Sequence, residues 1–278
     1  MKSKLEKVRS NYTYPVPSVD EASRILICLA DNMISKMKLT DLCKKTGIHK
    51  SKGYSILNTL QRYGFVYKNP SDKTYTLGPG LITLARKVLD SLDYKDVVSP
   101  FLENLALDTK YSAFFVLING ENVFVVAKHD AGQEIGVTIR LGHRFHITAG
   151  AHGKAIFTFL AEEEKKIIIK RDRLFFHGQP IRLDMVRLER ELKEVMINGF
   201  AVDIGDLSPG INAIASPVFN TKGSIIGSIL LVGTFLESQI NILGKKVFNC
   251  AYNISKTLGA DVEKIFSSVK KTLNRRLK

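Results

Sequence analysis

The chain has 278 residues, of which 45% are hydrophobic and 24% charged, a balance typical of a soluble globular protein with one large or two ordinary domains. Its three cysteines, Cys28, Cys43 and Cys250, are far apart and form neither a disulfide framework nor a metal-binding pair, which indicates a reducing compartment. The longest apolar runs have the length of strands, and the first residues contain no apolar core. We therefore expect no membrane helix, no signal peptide and a cytoplasmic location.

The net charge of +14 is concentrated at the two ends of the chain. Residues 1–78 contain 14 basic and 6 acidic residues, residues 264–278 contain 6 basic and no acidic ones, and residues 79–263 are neutral. A basic module beside a neutral body indicates an anionic partner, for which double-stranded DNA is the first candidate. A solvated charged surface is the alternative. The basic tail at 264–278 fits a nucleic-acid contact, a solubilising segment or a disordered end equally well.

Residues 18–78 show the pattern of a winged helix-turn-helix domain, which follows an irregular basic arm at 1–17. Apolar residues recur at helical spacing in three segments, and two short strand-like segments flank a Pro-Ser-Asp turn. The segments are a helix started by a Ser18/Glu21 capping box, a helix between Thr40 and Gly47, a helix over 48–64, and strands at 65–69 and 74–78. This order of three helices and a hairpin predicts the winged fold.

The third predicted helix carries the case for DNA binding. Its apolar stripe leaves a polar face for a major groove, and the strands form a wing whose lysines reach the phosphates. Because no arginine occupies its first two turns, we expect Lys, Ser, Asn or DNA shape to supply specificity. The candidate contacts are Lys50, Ser51, Lys52, Tyr54, Ser55, Asn58 and Arg62 on the helix, and Lys68 and Lys73 on the wing. A protein-interaction module is the alternative, which the basic charge disfavours.

The remaining chain predicts a linker helix at 79–93 and an α+β body at 94–263. The broad apolar stripe of the linker fits self-pairing in a dimer or packing on its own C-terminal domain. In the body, hairpin signals such as Asn119-Gly120 favour an antiparallel sheet over a wound βαβ fold. The predicted elements are a helix over 97–110 with Ser99 as cap and Pro100 in its first turn, strands at 111–120, 121–130 and 135–142, helices at 150–160, 161–172 and 184–198, strands at 200–204, 211–219 and 224–233, and a helix over 238–258.

Three of the six histidines, His143, His146 and His152, fall within ten positions and raise the question of a metal or catalytic site. A zinc site needs three or four converging ligands, whereas these residues span a strand end and a helix start, and no cysteine pair completes them. Catalysis would need a carboxylate partner, for which Asp203 and Asp206 are candidates, but no nucleophile–base–orienter set can be assembled. Phosphate-binding and hydrolase motifs are also missing. We therefore expect no enzyme, no metal and no cofactor.

Several segments together resemble the IclR family of transcriptional regulators over residues 18–260. They include KLTDLCKKTGIHKSKGYSILNTLQRYGFV, IRLGHRFHITAGAHGKAIFTFL and NGFAVDIGDLSPGINAIASPVFNTKGSIIGSILLVG. The resemblance implies a GAF-like effector-binding domain at 94–263, dimers or dimers of dimers, and a small-molecule effector that controls DNA affinity. The pocket positions that it implies are Gly150, Ala151, Asp203, Ile211, Ala213, Leu230 and Val232.

Three of these pocket positions depart from the family pattern. Ala213 stands where a cysteine is frequent, and Leu230 and Val232 stand where serines are frequent. The loss of three polar groups predicts an effector more apolar than the small acids of the family, or no effector. Two further interpretations stay open, namely a ligand-independent DNA-binding or architectural protein to which the basic tail contributes, and an enzyme that uses the histidine cluster and Asp203.

Overall fold

The computed structural model describes residues 16–30, 36–90, 94–132, 136–170 and 173–267. The chain divides between residues 91 and 92 into two compact units. The first is a helical module with a three-stranded sheet, and the second packs helices on both faces of a six-stranded antiparallel sheet. This confirms the predicted α+β class. None of the described helices is long and apolar enough to cross a bilayer.

The first unit is a winged helix-turn-helix. It contains helices α1 (Pro17–Leu29), α2 (Leu39–Thr46), α3 (Lys50–Arg62) and α4 (Gly80–Asp90), and strands β1 (Met37–Lys38), β2 (Val66–Lys68) and β3 (Thr74–Leu77). α2 ends at Gly47, whose φ of 69° is open to glycine without strain, and α3 follows after a short turn. The sheet order β1-β3-β2 makes β2 and β3 the wing. The buried core of this unit includes Ile25, Leu42, Leu57 and Tyr75.

Two predicted helix starts in this unit are wrong. α1 begins at Pro17, with Val16 as N-cap and no side-chain cap, so Ser18 lies inside the first turn. Proline is favoured at the first position of a helix because its φ is already helical and because it has no backbone N–H that would need a hydrogen-bond partner. α2 begins at Leu39 rather than after Thr40, since the preceding residues form β1 and pair with β3. The end of the predicted first helix, at 31–33, lies outside the described residues.

The second unit is built on a sheet of order β6-β5-β4-β9-β8-β7. Its strands are β4 (Ser112–Asn119), β5 (Asn122–His129), β6 (Arg144–His146), β7 (Ala201–Ile204), β8 (Asn212–Phe219) and β9 (Ile225–Gly233), and its helices are α5 (Tyr94–Thr109), α6 (Gly150–Phe159), α7 (Glu162–Ile169), α8 (Met185–Asn198) and α9 (Ile240–Thr257). Neighbouring residues of a strand face opposite sides, so Phe115 belongs to the same buried cluster as Val247 of α9, while Phe114 belongs to that of Ala151 of α6. The sheet thus places the start of α6 over β7, β8 and β9.

The predicted strand at 135–142 is wrong in its described part, which has no regular structure between 136 and 140. Its alternation arises because Val137 and Ile139 pack against the core while Thr138 hydrogen-bonds to Asp130. The edge of β5 is taken instead by β6, a strand of three residues that pairs with Asn122–Phe124. In this segment, the period-2 pattern thus arises from residues that cover the core without joining the sheet.

The predicted start of the helix at 97–110 is also wrong. α5 begins at Tyr94, and Pro100 lies inside it rather than in its first turn. Proline in a helix interior removes one backbone hydrogen bond. Here Val98 and Leu102, on either side of it, are fully buried, and this packing holds the helix together across the proline.

Candidate functional site

The outer face of α3 is exposed over its whole length. Its opposite face buries Gly53, Ile56, Leu57 and Leu60 against the module. Of the predicted DNA contacts on this helix, Lys50, Ser51, Lys52, Tyr54, Ser55 and Arg62 are exposed and Asn58 is half-buried. Its first turn, which carries two lysines and a serine, is also the positive end of the helix dipole. The face therefore offers ammonium and hydroxyl groups to an anionic surface.

Lys52 is held by an ion pair with α1. Its ammonium lies 2.8 and 2.9 Å from the two carboxylate oxygens of Glu21. Lys50, in contrast, has no ion-pair partner within the part of the chain that the structure describes. The sequence does not show this difference because Glu21 and Lys52 are 31 positions apart. Of the two lysines, Lys50 is therefore the one that the described residues leave available to a phosphate.

The two wing lysines, Lys68 and Lys73, also differ in how far other side chains engage their charge. The ammonium of Lys68 lies 5.7 Å from the ring centroid of Tyr54 and 5.4 Å from that of Tyr75, within the range of cation–π attraction. These contacts tie the wing to α3. Lys73 is exposed and adopts a φ of 57° in the turn of the wing. The turn is fixed by Asp72, whose carboxylate accepts hydrogen bonds from the backbone N–H and hydroxyl of Thr74.

The seven positions of the expected effector pocket lie together in the second unit. Asp203 pairs with Ala213 across β7 and β8, and Ala213 pairs with Val232 across β8 and β9. Leu230 lies two residues from Val232 and so on the same face of the sheet. Ala151 is buried in the core on this face, against which Ile211 and Ala213 pack. Besides Asp203, the polar side chains of the sheet beside these residues include two buried serines, Ser112 opposite Val232 and Ser228 two residues from Leu230.

Gly150 and Asp203 meet at the start of α6. Gly150 has a φ of 49°, and a Cβ there would lie only 2.4 Å from Oδ2 of Asp203, so this position requires glycine. The carboxylate of Asp203 is 2% exposed, and its Oδ1 accepts hydrogen bonds from the backbone N–H groups of Asp206 and Leu207 at 2.8 and 3.4 Å. Burial raises the pKa of Asp203, although these amides and the Lys154 charge oppose the increase.

Next to this site lies a buried ionic network that sequence reasoning missed. The fully buried ammonium of Lys154 donates to the backbone carbonyl of Val202 and to Oε2 of Glu191, each at 2.9 Å. His177 also donates to Oε2 of Glu191, since its other ring nitrogen accepts the backbone N–H of Asp184. The one available signal is that Lys154 is the only charged residue in GAHGKAIFTFL.

Arg187 extends the network to the loop after β7. Its guanidinium donates to Oε1 of Glu191 at 2.8 Å and forms a two-pronged pair with Asp206. Burial raises the pKa of Glu191, but the charge of Lys154 and the His177 hydrogen bond outweigh it, so this pKa lies below its usual value. For the same reason, with Arg187 as the partner, the pKa of Asp206 is lowered. α6, α8 and the Asp203–Asp206 turn are thus joined through charged groups.

A cleft of about 110 Å³ opens beside this network, between α8 and the edge strand β7. Lys154, Arg187 and Glu191 contribute its charged inner wall, with Glu194 and Asn198 at its described rim. None of the seven expected effector residues is among the described residues that line it. The cleft and the Gly150–Asp203 site are therefore separate features of this unit.

The three clustered histidines lie beside phenylalanine rings. His143 contacts Phe145 with ring centroids 4.4 Å apart, Phe145 contacts His152 at 5.0 Å, and His146 contacts Phe175 at 4.9 Å. His143 is half-buried. Across the residues that the structure describes, no three His, Cys, Asp or Glu side chains form a group that could hold a metal ion.

Comparison with known proteins agrees with this architecture. Residues 18–70 match the family model described as the IclR helix-turn-helix domain, and residues 86–256 match that of the bacterial transcriptional regulator IclR C-terminal region. The HTH-type transcriptional regulator KipR of Bacillus subtilis is 26% identical over 226 residues, which cover 80% of this chain and 90% of KipR. The HTH-type transcriptional repressor AllR of Escherichia coli K12 is 25% identical over 224 residues, or 80% of this chain and 83% of AllR. The crystal structure of an IclR transcriptional regulator from Alicyclobacillus acidocaldarius has a TM-score of 0.75 at 26% identity and covers 88% of this chain and 100% of that one.

Proposed function

The chain belongs to the IclR family of bacterial transcriptional regulators, and from this premise we propose that it binds operator DNA through α3 and the wing, under the control of a small molecule in its C-terminal domain. Ligand-controlled DNA binding is typical of this family. The observation that carries the DNA contact is the exposed face of α3, whose positive end bears Lys50, a lysine without an ion-pair partner among the described residues. The exposed Lys73 of the wing lies at a turn suited to a phosphate contact.

The roles of the residues on α3 follow from their exposure and pairing. Lys50 binds a phosphate, while the hydroxyls of Ser51 and Ser55 face base edges or phosphates. Lys52 contributes only when a phosphate competes with Glu21 for its ammonium. Further DNA contacts along the helix come from Tyr54, Asn58 and Arg62. The wing contributes DNA contacts through Lys68 and Lys73. The phosphate contacts make the affinity depend on salt concentration.

For the effector, we propose a ligand with a larger apolar body than small organic acids have, bound against Gly150 and Ala151. Leu230 and Val232 replace hydroxyl groups with hydrocarbon on the sheet face, and Ala213 adds no polar group. The one carboxylate at the site, Asp203, would repel a ligand acid when it is ionised. Thermal-shift and calorimetric measurements with glyoxylate and similar acids test this proposal. We expect no binding at micromolar concentration, and micromolar binding would contradict the proposed effector class.

The proposed regulatory role also implies an oligomeric state. We propose that the protein is a homodimer or a dimer of dimers that acts in the cytoplasm on two operator half-sites and catalyses no reaction. The relatives described above are transcriptional regulators, which supports a regulatory rather than an enzymatic role. Ile82 and Leu84 are exposed on α4, which supports self-association through this helix. Sedimentation of the full chain tests the assembly, and a monomer at micromolar concentration would contradict it.

A further inference from the structure

His152 carries a buried ring nitrogen without a hydrogen-bond partner in the part of the chain that the structure describes. The side chain is 2% exposed, and among the described residues no group hydrogen-bonds to its Nε2. Buried polar atoms are almost always paired, because an unpaired one has lost its hydration without compensation. His152 immediately follows Gly150 and Ala151, which belong to the proposed effector site. A missing partner at this place indicates a group that arrives with a ligand.

The ring of His152 is neutral and presents a lone pair at Nε2. Burial lowers the pKa of His152 to about 4, although a hydrogen bond with the backbone of His146 favours the charged form. A hydrogen bond favours the charged form of the imidazole when a ring N–H donates it, here to the backbone carbonyl of His146. We assign the ring proton to Nδ1, because Nε2 has no partner among the described residues. Nε2 is then the acceptor of the neutral imidazole.

The basic groups His143, His146 and Lys154, all among the described residues, offer no free positive charge to a ligand acid. Burial lowers the pKa values of His143 and His146 as well, so both are mainly neutral near pH 7. The nearest buried cation, Lys154, is already paired with Glu191. The N–H of Gly150 at the start of α6 donates to the carbonyl of Phe175 at 3.2 Å.

The same surroundings accommodate an apolar group. Phe145 lies against the His152 ring at 5.0 Å between centroids, and the preceding residue, Ala151, belongs to the same buried apolar cluster as Leu230 and Val232. Besides hydrocarbon, a ligand that enters the site meets the Nε2 lone pair and, beside Gly150, the carboxylate of Asp203. A hydroxyl group satisfies that lone pair by donating to it, whereas an ionised carboxylate or an ether oxygen has no proton to donate.

We propose that His152 determines the specificity of the effector site, and that its Nε2 accepts a hydrogen bond from the hydroxyl group of an uncharged effector with an apolar body. This inference rests on the proposed effector site at Gly150 and Ala151. It narrows the effector to the class of alcohols and phenols.

Isothermal titration calorimetry on the full chain tests this with matched probes. The pairs are 4-methylphenol with 4-methylanisole and cyclohexylmethanol with its methyl ether, and 4-methylbenzoate is the acid. We expect at least one hydroxyl compound to bind roughly tenfold more tightly than its ether. His152→Leu should reduce this preference to about twofold or less, while the control His143→Leu keeps it. Equal binding of ether and alcohol, tighter binding of the benzoate, binding of no hydroxyl compound, or a preference that survives in His152→Leu would each overturn the proposal.

Stability without ligand gives a second readout. His152→Leu removes the unpaired Nε2, which favours stability, and the hydrogen bond with the His146 backbone, which opposes it, so we expect the melting temperature to fall by no more than about 4 °C. A larger decrease would show that Nε2 serves the fold and would overturn the inference. The proposed function fails separately, namely if no small molecule changes operator affinity. A response of the operator complex to a ligand, with no dependence on His152, would refute the inference alone.

Discussion

Replacement of Glu191 by alanine tests the buried network most sharply. Glu191 is 16% exposed and holds three partners, namely Lys154, His177 and Arg187. Its loss leaves the fully buried ammonium of Lys154 with only the carbonyl of Val202. Removing one member of a buried ion pair costs about 3–5 kcal/mol, because the other charge stays desolvated and uncompensated. The partial exposure of Glu191 places the expected loss at about 3 kcal/mol, near the lower end of that range.

The chain offers a matched control on the same helix. Glu194 lies one turn further along α8 and pairs with Arg190 at 4.0 Å, with both side chains exposed at 58% and 71%. Such surface pairs contribute about 0.5 kcal/mol or less. Both substitutions replace glutamate by alanine in a helix, so propensity changes alike in the two variants. The difference between them therefore measures the network.

Scanning calorimetry on the full chain, with far-ultraviolet circular dichroism because the chain lacks tryptophan, gives the comparison. A loss of about 3 kcal/mol lowers the melting temperature of a unit of this size by roughly 6–12 °C, against roughly 2 °C for Glu194→Ala. The pKa of Glu191 is lowered in the folded state, so its stabilising effect is present above its ordinary value of 4.5 and decreases as the pH falls below it. The two variants should converge in acid. Equal melting temperatures at pH 7 would refute the reasoning.

Four further outcomes follow from the described contacts. Lys50→Ala should weaken operator binding and reduce the slope of log affinity against log salt by about 0.9, as measured by fluorescence anisotropy, and an unchanged slope would place this residue away from the phosphates. Glu21→Gln should strengthen binding to any DNA because it releases Lys52, and weaker binding in the same assay would contradict this role. Gly150→Ala should destabilise the protein by more than about 1 kcal/mol in urea unfolding, since its φ is positive and its Cβ would clash with Asp203, and a neutral effect would show that the turn can rearrange. The pKa of Asp203 is raised, so its ionisation weakens the folded state as the pH rises above 3.8, and Asp203→Asn should lose this part of the pH dependence of unfolding.

Local periodicity predicted most helices and strands of this chain. The helical patterns before Gly47 and Gly199 end at these residues, where each glycine has a positive φ. The alternation at 135–142 predicted a strand that does not form in its described part, 136–142, because the same pattern arises when side chains cover a core without strand pairing. β1 was missed because two residues are too few to establish a period.

The candidate sites also differ in how far the local sequence pattern could predict them. The exposed face of α3 follows from its helical period, so its DNA contacts could be proposed from the sequence. The pairing of Lys52 with Glu21, and that of Lys154 with Glu191, join residues distant in the chain. Such pairs leave no local pattern, and only the folded arrangement shows which lysine is compensated. That Nε2 of His152 has no partner among the described residues is likewise visible only in the packed site.

Footprinting on DNA fragments taken from genome-wide mapping of the bound sites tests the central claim most directly. The account predicts a discrete protected site with two-fold symmetry, whose protection changes when a small molecule binds the C-terminal domain. Genes beside the mapped sites indicate which metabolites to add. Uniform protection along any fragment, with no response to those molecules, would contradict the account and identify a ligand-independent architectural protein instead.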